Sequence, residues 1–544
     1  VLTHRFQWTF PIVISPHDPE TVYVGGERVF RSTNRGASWE AISDDLTTND
    51  KAKQRSSGGP ITKDNTSVEY YCTVFTIAES PVEAGVIWAG SDDGLIHVTS
   101  DNGQTWEDVT PPEMGDWPMI SLIEASPHDA DTAWAAVTRY KMDDFEPYIY
   151  RTRDRGKTWE LIVDGIDDDA FVRAVREDPV VPGLLYAATE TGVYYSRDAG
   201  ESWHSLQLEL PVVPVTDLVV KGDDLVISTQ GRSFWILDDL AVLRQLDPDS
   251  LGDEIVLLTP EPAYRERWDA ARVHFYLPED IEEPTTLRFL NADGEVVRSF
   301  VVEIEGVEHK KEPGEGSFKA EAGMNLFRWN FREARPTTVP GAVGWPGTPA
   351  GPRVPPGTYT VELVSGEVTR SAGFEILPDP RYDTTAEEYA EQFALLKEIH
   401  DSIDAAHRAV NDIRKIRGQI KAAMERAEAA GLKDELKEQA EAIRGAIKEI
   451  EEAIIQTKSK SSQDPLNFPV MLNDKLSALA GVVDGDYPPT AQSREVFGML
   501  KTKLDEQLER LKKVMDEDVA AFNDKMVELR VPAVVVDDHS EGGE

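Results

Sequence analysis

The eight residues TSDNGQTW, Thr99–Trp106, follow a pattern that recurs three more times in the first half of the chain, and this repetition decides the fold. Each copy follows the pattern (Ser/Thr)-x-(Asp/Asn)-x-Gly-x-(Ser/Thr)-Trp. The glycines of successive copies lie 67, 53 and 44 residues apart. Every copy follows a stretch of alternating apolar residues that is typical of a β-strand, and a further strand pattern ending in a turn lies upstream. The copies read STNRGASW (32–39), TSDNGQTW (99–106), TRDRGKTW (152–159) and SRDAGESW (196–203).

The residue types of the motif suit a tight turn between two strands. An Asp or Asn side chain accepts hydrogen bonds from the backbone of its own turn, and Gly adopts a conformation that a Cβ atom would forbid. The Trp is expected to pack between adjacent sheets. Asn34 fits a structural role, because an amide can hold a turn but cannot act as a catalytic acid. We therefore predict structural roles for all the motif residues: Asn34, Gly36, Trp39, Asp101, Gly103, Trp106, Asp154, Gly156, Trp159, Asp198, Gly200 and Trp203.

Five similar units of several strands each predict the blades of a β-propeller within residues 1–245. The fifth unit keeps the strand pattern without the motif. Because only about five units are present and the first lacks its upstream partner, we expect the propeller to be incomplete at its N-terminus. Its edge strand near Phe10–Ile14 would then expose unpaired backbone groups. The chain opens with Val1 and shows no signal peptide, so we expect it to be a fragment or a processed product.

The remainder of the chain predicts two further domains and a tail. Short alternating strands separated by turns predict a small β-sandwich over residues 255–378. Three apolar stripes at helical spacing predict a helical hairpin or bundle over residues 384–530. Residues 531–544 are expected to form a flexible tail. We expect the helices to pack against one another within the chain, with Leu504, Leu508 and Leu511 facing Ile443, Ile447 and Ile450. An oligomer formed through exposed helix faces is the alternative.

Composition excludes several classes of function. The 544 residues include 99 Asp and Glu against 56 Lys and Arg, a net charge of −43 that disfavours nucleic acid and anionic lipid as partners. One cysteine excludes internal disulfides and Cys-rich metal clusters. No apolar stretch is long enough for a membrane span, and no zinc, Walker, dinucleotide or nucleophile-elbow motif occurs, so we expect no cofactor and no metal. The acidity fits either a high-salt habitat or an ordinary acidic surface.

The candidate functional residues lie in polar stretches outside the repeated motif. Long loops between propeller strands gather around the axis, where ligands usually bind. Two carboxylates about 5–10 Å apart would suffice for glycoside hydrolysis, whereas carboxylates paired with arginine would indicate a binding surface. The candidate catalytic carboxylates are Asp64, Glu69, Asp143, Asp144 and Glu177. The candidate ligand-binding residues are Arg139, Lys141, Arg173, Arg176 and Arg232.

The motif resembles the Asp box, or BNR repeat, of sialidases, xyloglucan-cleaving propellers and the sortilin/Vps10 family. Three stretches together resemble prokaryotic sortilin/Vps10-like propeller proteins, which are often labelled glycosyl hydrolases: AGVIWAGSDDGLIHVTSDNGQTW (84–106), GLLYAATETGVYYS (183–196) and QGRSFWILDDL (230–240). The resemblance implies an exported, extracytoplasmic protein that binds a peptide, protein or glycan at the propeller mouth, with glycoside hydrolysis as the alternative. Likewise, GMNLFRWNFR (323–332) and GPRVPPGTYTVELV (351–364) resemble the immunoglobulin-like module of FlgD-type proteins.

Overall fold

The chain forms two compact units, Val1–Arg244 and Gln245–Glu544. The computed structural model describes residues 3–55, 58, 61, 69–247, 251–266, 268–304, 314–345 and 349–533. The first unit consists mainly of β-sheets, and the second contains two sheets followed by a helical region.

The described residues of the N-terminal unit form five antiparallel sheets, whose strands are neighbours in the order in which they follow one another along the chain. We call the sheets blades 1 to 5. The first strands of successive blades contact each other, as the inner strands of β-propeller blades do around a common axis. The strands of blades 1 and 2 are β1 (Ile12–Ile14), β2 (Val22–Gly25), β3 (Val29–Ser32), β4 (Glu40–Ala41), β5 (Val74–Glu79), β6 (Ile87–Ser91), β7 (Ile96–Thr99) and β8 (Glu107–Asp108).

Blades 3 and 4 repeat this four-stranded arrangement, and blade 5 has three strands. A short helix, α1 (Ala241–Gln245), follows blade 5. The strands of these blades are β9 (Met119–Ala125), β10 (Ala133–Thr138), β11 (Ile149–Thr152), β12 (Glu160–Leu161), β13 (Val172–Glu177), β14 (Leu185–Thr189), β15 (Val193–Ser196), β16 (His204–Ser205), β17 (Val215–Lys221), β18 (Asp224–Thr229) and β19 (Phe234–Leu237).

The burial pattern of the second strand of a blade indicates whether both faces of that blade are covered. Every residue of β6, β10 and β14 is buried, because blades 2, 3 and 4 each have a neighbouring blade on both faces. In β2 and β18 buried and partly exposed residues alternate, which is the pattern of a sheet covered on one face only. Blades 1 and 5 accordingly expose apolar side chains, among them Ile12, Ile14, Phe234 and Ile236.

The Trp of the Asp box joins each of blades 2, 3 and 4 to the blade before it. The indole Nε1–H of Trp106, Trp159 and Trp203 donates to a backbone carbonyl of the preceding blade, at 2.9, 2.7 and 2.9 Å. The three acceptors are Ile42, Val109 and Ile162, and each directly follows the outermost strand of its blade. In the described part of the chain Trp39 of blade 1 makes no such bond, and its side chain is 45% exposed.

The glycines of the boxes allow this contact. Gly103, Gly156 and Gly200 have positive φ and lie against the same acceptor residues. A Cβ atom at these positions would come within 2.8, 2.6 and 2.2 Å of Ile42, Val109 and Ile162, respectively. Glycine is therefore required both by the turn and by the close approach of two blades.

Inside each box the Asp or Asn side chain is fully engaged by its own turn. Asp101 accepts hydrogen bonds from the hydroxyl of Thr99 and from the backbone amide and hydroxyl of Thr105 at 2.7–2.8 Å. The Thr105 hydroxyl and amide lower the pKa of Asp101 to about 2. Asp154 and Asp198 accept the equivalent bonds, and Asn34 accepts from the Ser38 amide at 2.9 Å.

We expect Trp203→Ala to lower the free energy of unfolding of the N-terminal unit by about 3–5 kcal/mol, because it removes a buried aromatic ring and its hydrogen bond. Trp39→Ala is the matched control and should cost less than about 1 kcal/mol, since that ring is largely exposed and contacts no preceding blade in the part of the chain that the structure describes. Urea unfolding, monitored by hydrogen exchange of the strands in blades 1, 3 and 4, measures the loss of unfolding free energy in both variants. Equal losses for the two variants would contradict this account of the boxes.

Two sheets of the C-terminal unit enclose one aromatic core. A three-stranded sheet has the order β20 (Val256–Leu257), β22 (Ala271–Leu277), β26 (Gly323–Trp329). A six-stranded sheet has the order β21 (Ala263–Tyr264), β28 (Val368–Leu377), β27 (Gly357–Ser365), β23 (Thr285–Leu290), β24 (Val296–Val302), β25 (Gly316–Phe318). Trp329 from the first sheet stacks on Phe289 from the second, with ring centroids 4.3 Å apart.

Helices form the rest of this unit and share a single core. They are α2 (Ala386–Ala429), α3 (Lys433–Ile454), α4 (Leu472–Val483), α5 (Ala491–Lys513) and α6 (Ala520–Glu528), with a π-helical turn over Val514–Val519 between the last two. The core contains Leu504 and Leu511 together with Ile443, Ile447 and Ile450, and Leu508 lies at its edge. The sequence analysis predicts three helices and misses α4, which is short and largely buried.

A buried charge cluster connects the sheets to the helices within this unit. Arg265 is fully buried, forms an ion pair with Asp486 and donates through Nε to the carbonyl of Val354 at 2.7 Å. Arg353 pairs with the same carboxylate at 3.0 Å, and the amide of Gln392 on α2 donates to the carbonyl of Val483 at 2.7 Å. Two loops between strands, at Arg265 and Arg353, are thus held directly against α2 and the α4–α5 connection.

Candidate functional site

The N-terminal unit has two distinct ends. The inner strands of blades 2 to 5 begin at one end, which we call the loop end. In blades 2 to 5 the first residue of the inner strand pairs with the last residue of the second strand, as Val74 does with Ser91, so the loop after the second strand also lies at this end. The Asp boxes follow the third strands and therefore lie at the opposite end.

The loop end brings together most of the residues that the sequence analysis selects. Glu69 precedes β5, and Arg173 is the second residue of β13. Arg139, Lys141, Asp143 and Asp144 belong to the loop between β10 and β11, and Arg232 belongs to the loop between β18 and β19. Arg176 and Glu177 do not lie there, and Asp64 lies outside the described residues.

An arginine–carboxylate pair holds the β10–β11 loop. Arg139 forms an ion pair with Asp144 at 2.6 Å and also donates to the backbone carbonyl of Asp116 at 3.4 Å. The Tyr148 hydroxyl donates to the same Asp144 carboxylate at 3.0 Å. Asp143 is exposed and has left-handed backbone geometry after the 3₁₀ turn Tyr140–Met142. Asp144 is therefore engaged by a structural pair, whereas Asp143 faces solvent.

Aromatic rings and a guanidinium join this loop to blade 4. Tyr140 stacks on Phe171 with ring centroids 5.1 Å apart, and Phe145 lies 6.2 Å from Phe171. The Arg173 guanidinium lies 4.9 Å from the centroid of Phe171 and 5.8 Å from that of Tyr140, and it pairs with Glu190 at 2.6 Å. We call Tyr140, Phe145, Phe171 and Arg173 the loop-end cluster. Phe145 and the neighbouring Met142 are each nearly half exposed.

A second aromatic group lies beside the start of β9. Tyr71 stacks on Trp117 with centroids 5.6 Å apart, and Lys53 Nζ lies 4.0 Å from the centroid of Trp117. Glu69 accepts a hydrogen bond from Trp8 Nε1 at 2.8 Å. Sequence reasoning missed Trp117, because it lies between the third strand pattern and the preceding box without a recognisable motif.

The remaining two candidates, Glu177 and Arg176, lie away from the loop end. Glu177 lies at the opposite end, is buried, and accepts hydrogen bonds from Ser126 Oγ at 2.5 Å and the Gly183 amide at 2.8 Å. Burial raises the pKa of Glu177. Arg176 points into an axial cavity of about 620 Å³ lined by the inner strands, where it pairs with Glu124 at 2.8 Å.

Two adjacent carboxylates in the β6–β7 loop were not selected from the sequence. Asp92 accepts hydrogen bonds from the amide and hydroxyl of Thr73 at 2.8 and 2.9 Å, and burial raises its pKa to about 6. Asp93 accepts from the amide and hydroxyl of Thr48 at 2.9 and 2.6 Å. Its other oxygen, Oδ1, is buried and has no hydrogen-bond partner among the described residues. The sequence signal for this pair is the run SDDG (91–94). Its two carboxylates are adjacent, so it does not match the alternating spacing of a calcium-binding loop.

Over the described residues, no group of three or more His, Cys, Asp or Glu side chains is arranged to hold a metal ion. None of the helices there combines the length and the apolarity that crossing a bilayer requires.

Comparison with known proteins identifies the motif. Residues 194–205 match the BNR/Asp-box repeat family. The chain carries a BNR/Asp-box repeat. No curated protein matches the chain.

Solved structures resemble the chain only in part. An ancestral GH74 enzyme is 17% identical over 55% of this chain and 38% of its own, with a TM-score of 0.32. The GH74 xyloglucanase from Xanthomonas campestris is 13% identical over 66% and 57%, with a TM-score of 0.33. YCF48 bound to D1 peptide is 17% identical over 50% and 80%, with a TM-score of 0.27. The chain spans about two fifths of the length of the ancestral enzyme.

We expect Asp92→Asn to change the pH dependence of stability. The pKa of Asp92 is about 6 in the folded protein against 3.8 ordinarily, so ionising this carboxylate opposes folding as the pH rises through that interval. The amide removes the effect. Relative to the unsubstituted protein, the variant should gain up to about 3 kcal/mol between pH 4 and pH 7.

Urea unfolding at several pH values, followed by hydrogen exchange of β5 and β6, measures this difference. Asp101→Asn serves as the control, because the equivalent position of the first box already carries an amide, Asn34. Stability curves for Asp92→Asn and the unsubstituted protein that run parallel across this pH range would contradict the assigned environment of Asp92.

Proposed function

We propose that the N-terminal unit is a sortilin/Vps10-like Asp-box propeller that binds a peptide at its loop end, and that the protein acts outside the cytoplasm. The observation that carries the proposal is the loop-end cluster, where Arg173 and aromatic side chains are held together and every member except Phe171 remains at least partly exposed. Aromatic residues and arginine are the side chains that most often dominate binding at protein interfaces. Lys141 and Arg232 extend the cationic surface of the same end.

The geometry of the aromatic rings favours a peptide over a glycan. Sugar rings bind across the open face of an aromatic side chain, but the faces of Trp117 are contacted by Tyr71 and Lys53. Phe145 and Met142 instead offer an apolar surface on which a side chain of a peptide can pack. The proposed ligand is therefore a peptide with at least one apolar anchor, next to an acidic group that faces Arg173 or Lys141.

Glycoside hydrolysis is the second candidate function. Of the carboxylates selected from the sequence, Asp144 is paired with arginine and Glu177 lies at the opposite end. What favours hydrolysis is the adjacent pair Asp92 and Asp93, because a carboxyl group with a pKa near 6 can serve as a general acid. Both oxygens of Asp92 accept bonds from Thr73, and this side chain is almost fully buried, so we rank hydrolysis below binding.

We also propose that further blades of the same kind cover the exposed faces of blades 1 and 5. The support is the contrast between the fully buried β6, β10 and β14 and the half-covered β2 and β18.

The two facing sheets of the C-terminal unit are proposed to be an immunoglobulin-like spacer, and the helices are proposed to be a docking or oligomerisation arm.

A peptide array and a glycan array, both probed with the full chain, test the proposal. We expect peptide binding that falls at least tenfold in the double variant Phe145→Ala, Arg173→Ala. Leu161→Ala, which removes an exposed apolar side chain from the outermost strand of blade 3, is the matched control and should leave binding unchanged.

Two results would contradict peptide binding at the loop end. One is peptide binding that the double variant and the control affect equally. The other is cleavage of an arrayed glycan that Asp92→Asn abolishes while the fold is retained, which would establish the second candidate instead.

A further inference from the structure

The three-stranded sheet of the C-terminal unit has a free edge. Strand β26 is the last strand in the order β20, β22, β26, and no described strand pairs with its other side. Its seven residues alternate between partly buried and exposed positions up to the buried Trp329. An edge of this kind offers unpaired backbone N–H and C=O groups to an added strand.

Two arginines lie directly opposite each other on the outer face of this sheet. The register pairs Arg272 of β22 with Arg328 of β26, and both alternate with residues that face the core. Neither guanidinium forms a hydrogen bond or an ion pair with any residue the structure describes. Like charges placed opposite each other on neighbouring strands destabilise a sheet. Among the described residues, therefore, no carboxylate offsets the repulsion between these two guanidinium groups.

Exposed apolar side chains continue the same row. Leu326 and Met324 follow Arg328 at every second position towards the start of β26, and they are 45% and 41% exposed. No acidic residue occurs within β22 or β26. The outer face beside the free edge therefore presents one charged position followed by two apolar positions.

We propose that the free edge of β26 binds an extended acidic segment of a partner protein by strand addition. The backbone of the segment pairs with β26, a carboxylate lies beside Arg328 and Arg272, and apolar side chains two and four residues further along contact Leu326 and Met324. Side chains on one face of a strand recur every two residues, about 7 Å apart, which matches the spacing of this row. The added carboxylate also relieves the repulsion between the two guanidinium groups.

A peptide fits this surface better than a nucleic acid or a lipid surface does. The net charge of −43 repels an extended polyanion, whereas a short segment with a single carboxylate near the arginines experiences mainly the local field. Backbone pairing and the two apolar contacts add affinity that a phosphate backbone would not gain.

The test uses the full chain and a labelled peptide, ETLTLTE, which places a carboxylate beside Arg328 in either strand direction. Fluorescence anisotropy should show this peptide binding at least tenfold more tightly than KTLTLTK. The double variant Arg272→Glu, Arg328→Glu should reverse that preference. Its melting temperature should stay unchanged, because one like-charged pair replaces another. Arg288→Glu, an exposed charge reversal on β23 of the other sheet, should bind as the unsubstituted protein does.

Three results would overturn the proposal. They are equal binding of the acidic and basic peptides, a double variant whose preference for the acidic peptide is unchanged, and arginine-dependent binding of polyuridine or phosphatidylserine vesicles without binding of ETLTLTE. The proposal is supported if the double variant prefers the basic peptide while Arg288→Glu still prefers the acidic one.

Discussion

The hydrogen bond from the box tryptophan to the preceding blade is the interaction on which the N-terminal unit depends. A single buried bond of this type contributes only about 1 kcal/mol, but it comes with the burial of a large ring between two sheets. The same residue that accepts the bond also contacts the box glycine. The Asp boxes of blades 2, 3 and 4 thus fix the outer part of each of these blades against the blade before it.

The two ends of the blades differ in how their side chains are used. The boxes lie at one end, where their side chains are used within their own turns and at blade contacts. Loops at the opposite end differ from blade to blade: blade 2 carries two buried carboxylates, and blade 3 carries an arginine–carboxylate pair beside exposed apolar side chains. Variation concentrated on one end of a repeated scaffold is typical of binding surfaces in repeat folds.

The sequence predicts the strands, the boxes and the helical region because their signals are local. A spacing of eight residues defines each box, and alternation or a three-and-four spacing defines each strand or helix. The site is less predictable, since it depends on strand register. Arg173, Arg176 and Glu177 are close in sequence, yet one lies at the loop end, one faces the axial cavity and one lies at the opposite end, because β13 spans about 13 Å from Arg173 to Glu177. The raised pKa of Asp92 likewise depends on its burial in the folded unit, and its hydrogen-bond donor Thr73, just before β5, is distant in sequence.

Hydrogen exchange of the indole N–H groups of the four box tryptophans tests the role of the boxes most directly. With ¹⁵N-labelled tryptophan, each indole N–H gives its own signal in a two-dimensional NMR spectrum. Slow exchange is predicted for Trp106, Trp159 and Trp203, whose N–H groups bond to the preceding blade, and fast exchange for Trp39. Protection of Trp39 equal to that of the other three, or rapid exchange of all four, would contradict the claim that the boxes hold successive blades together.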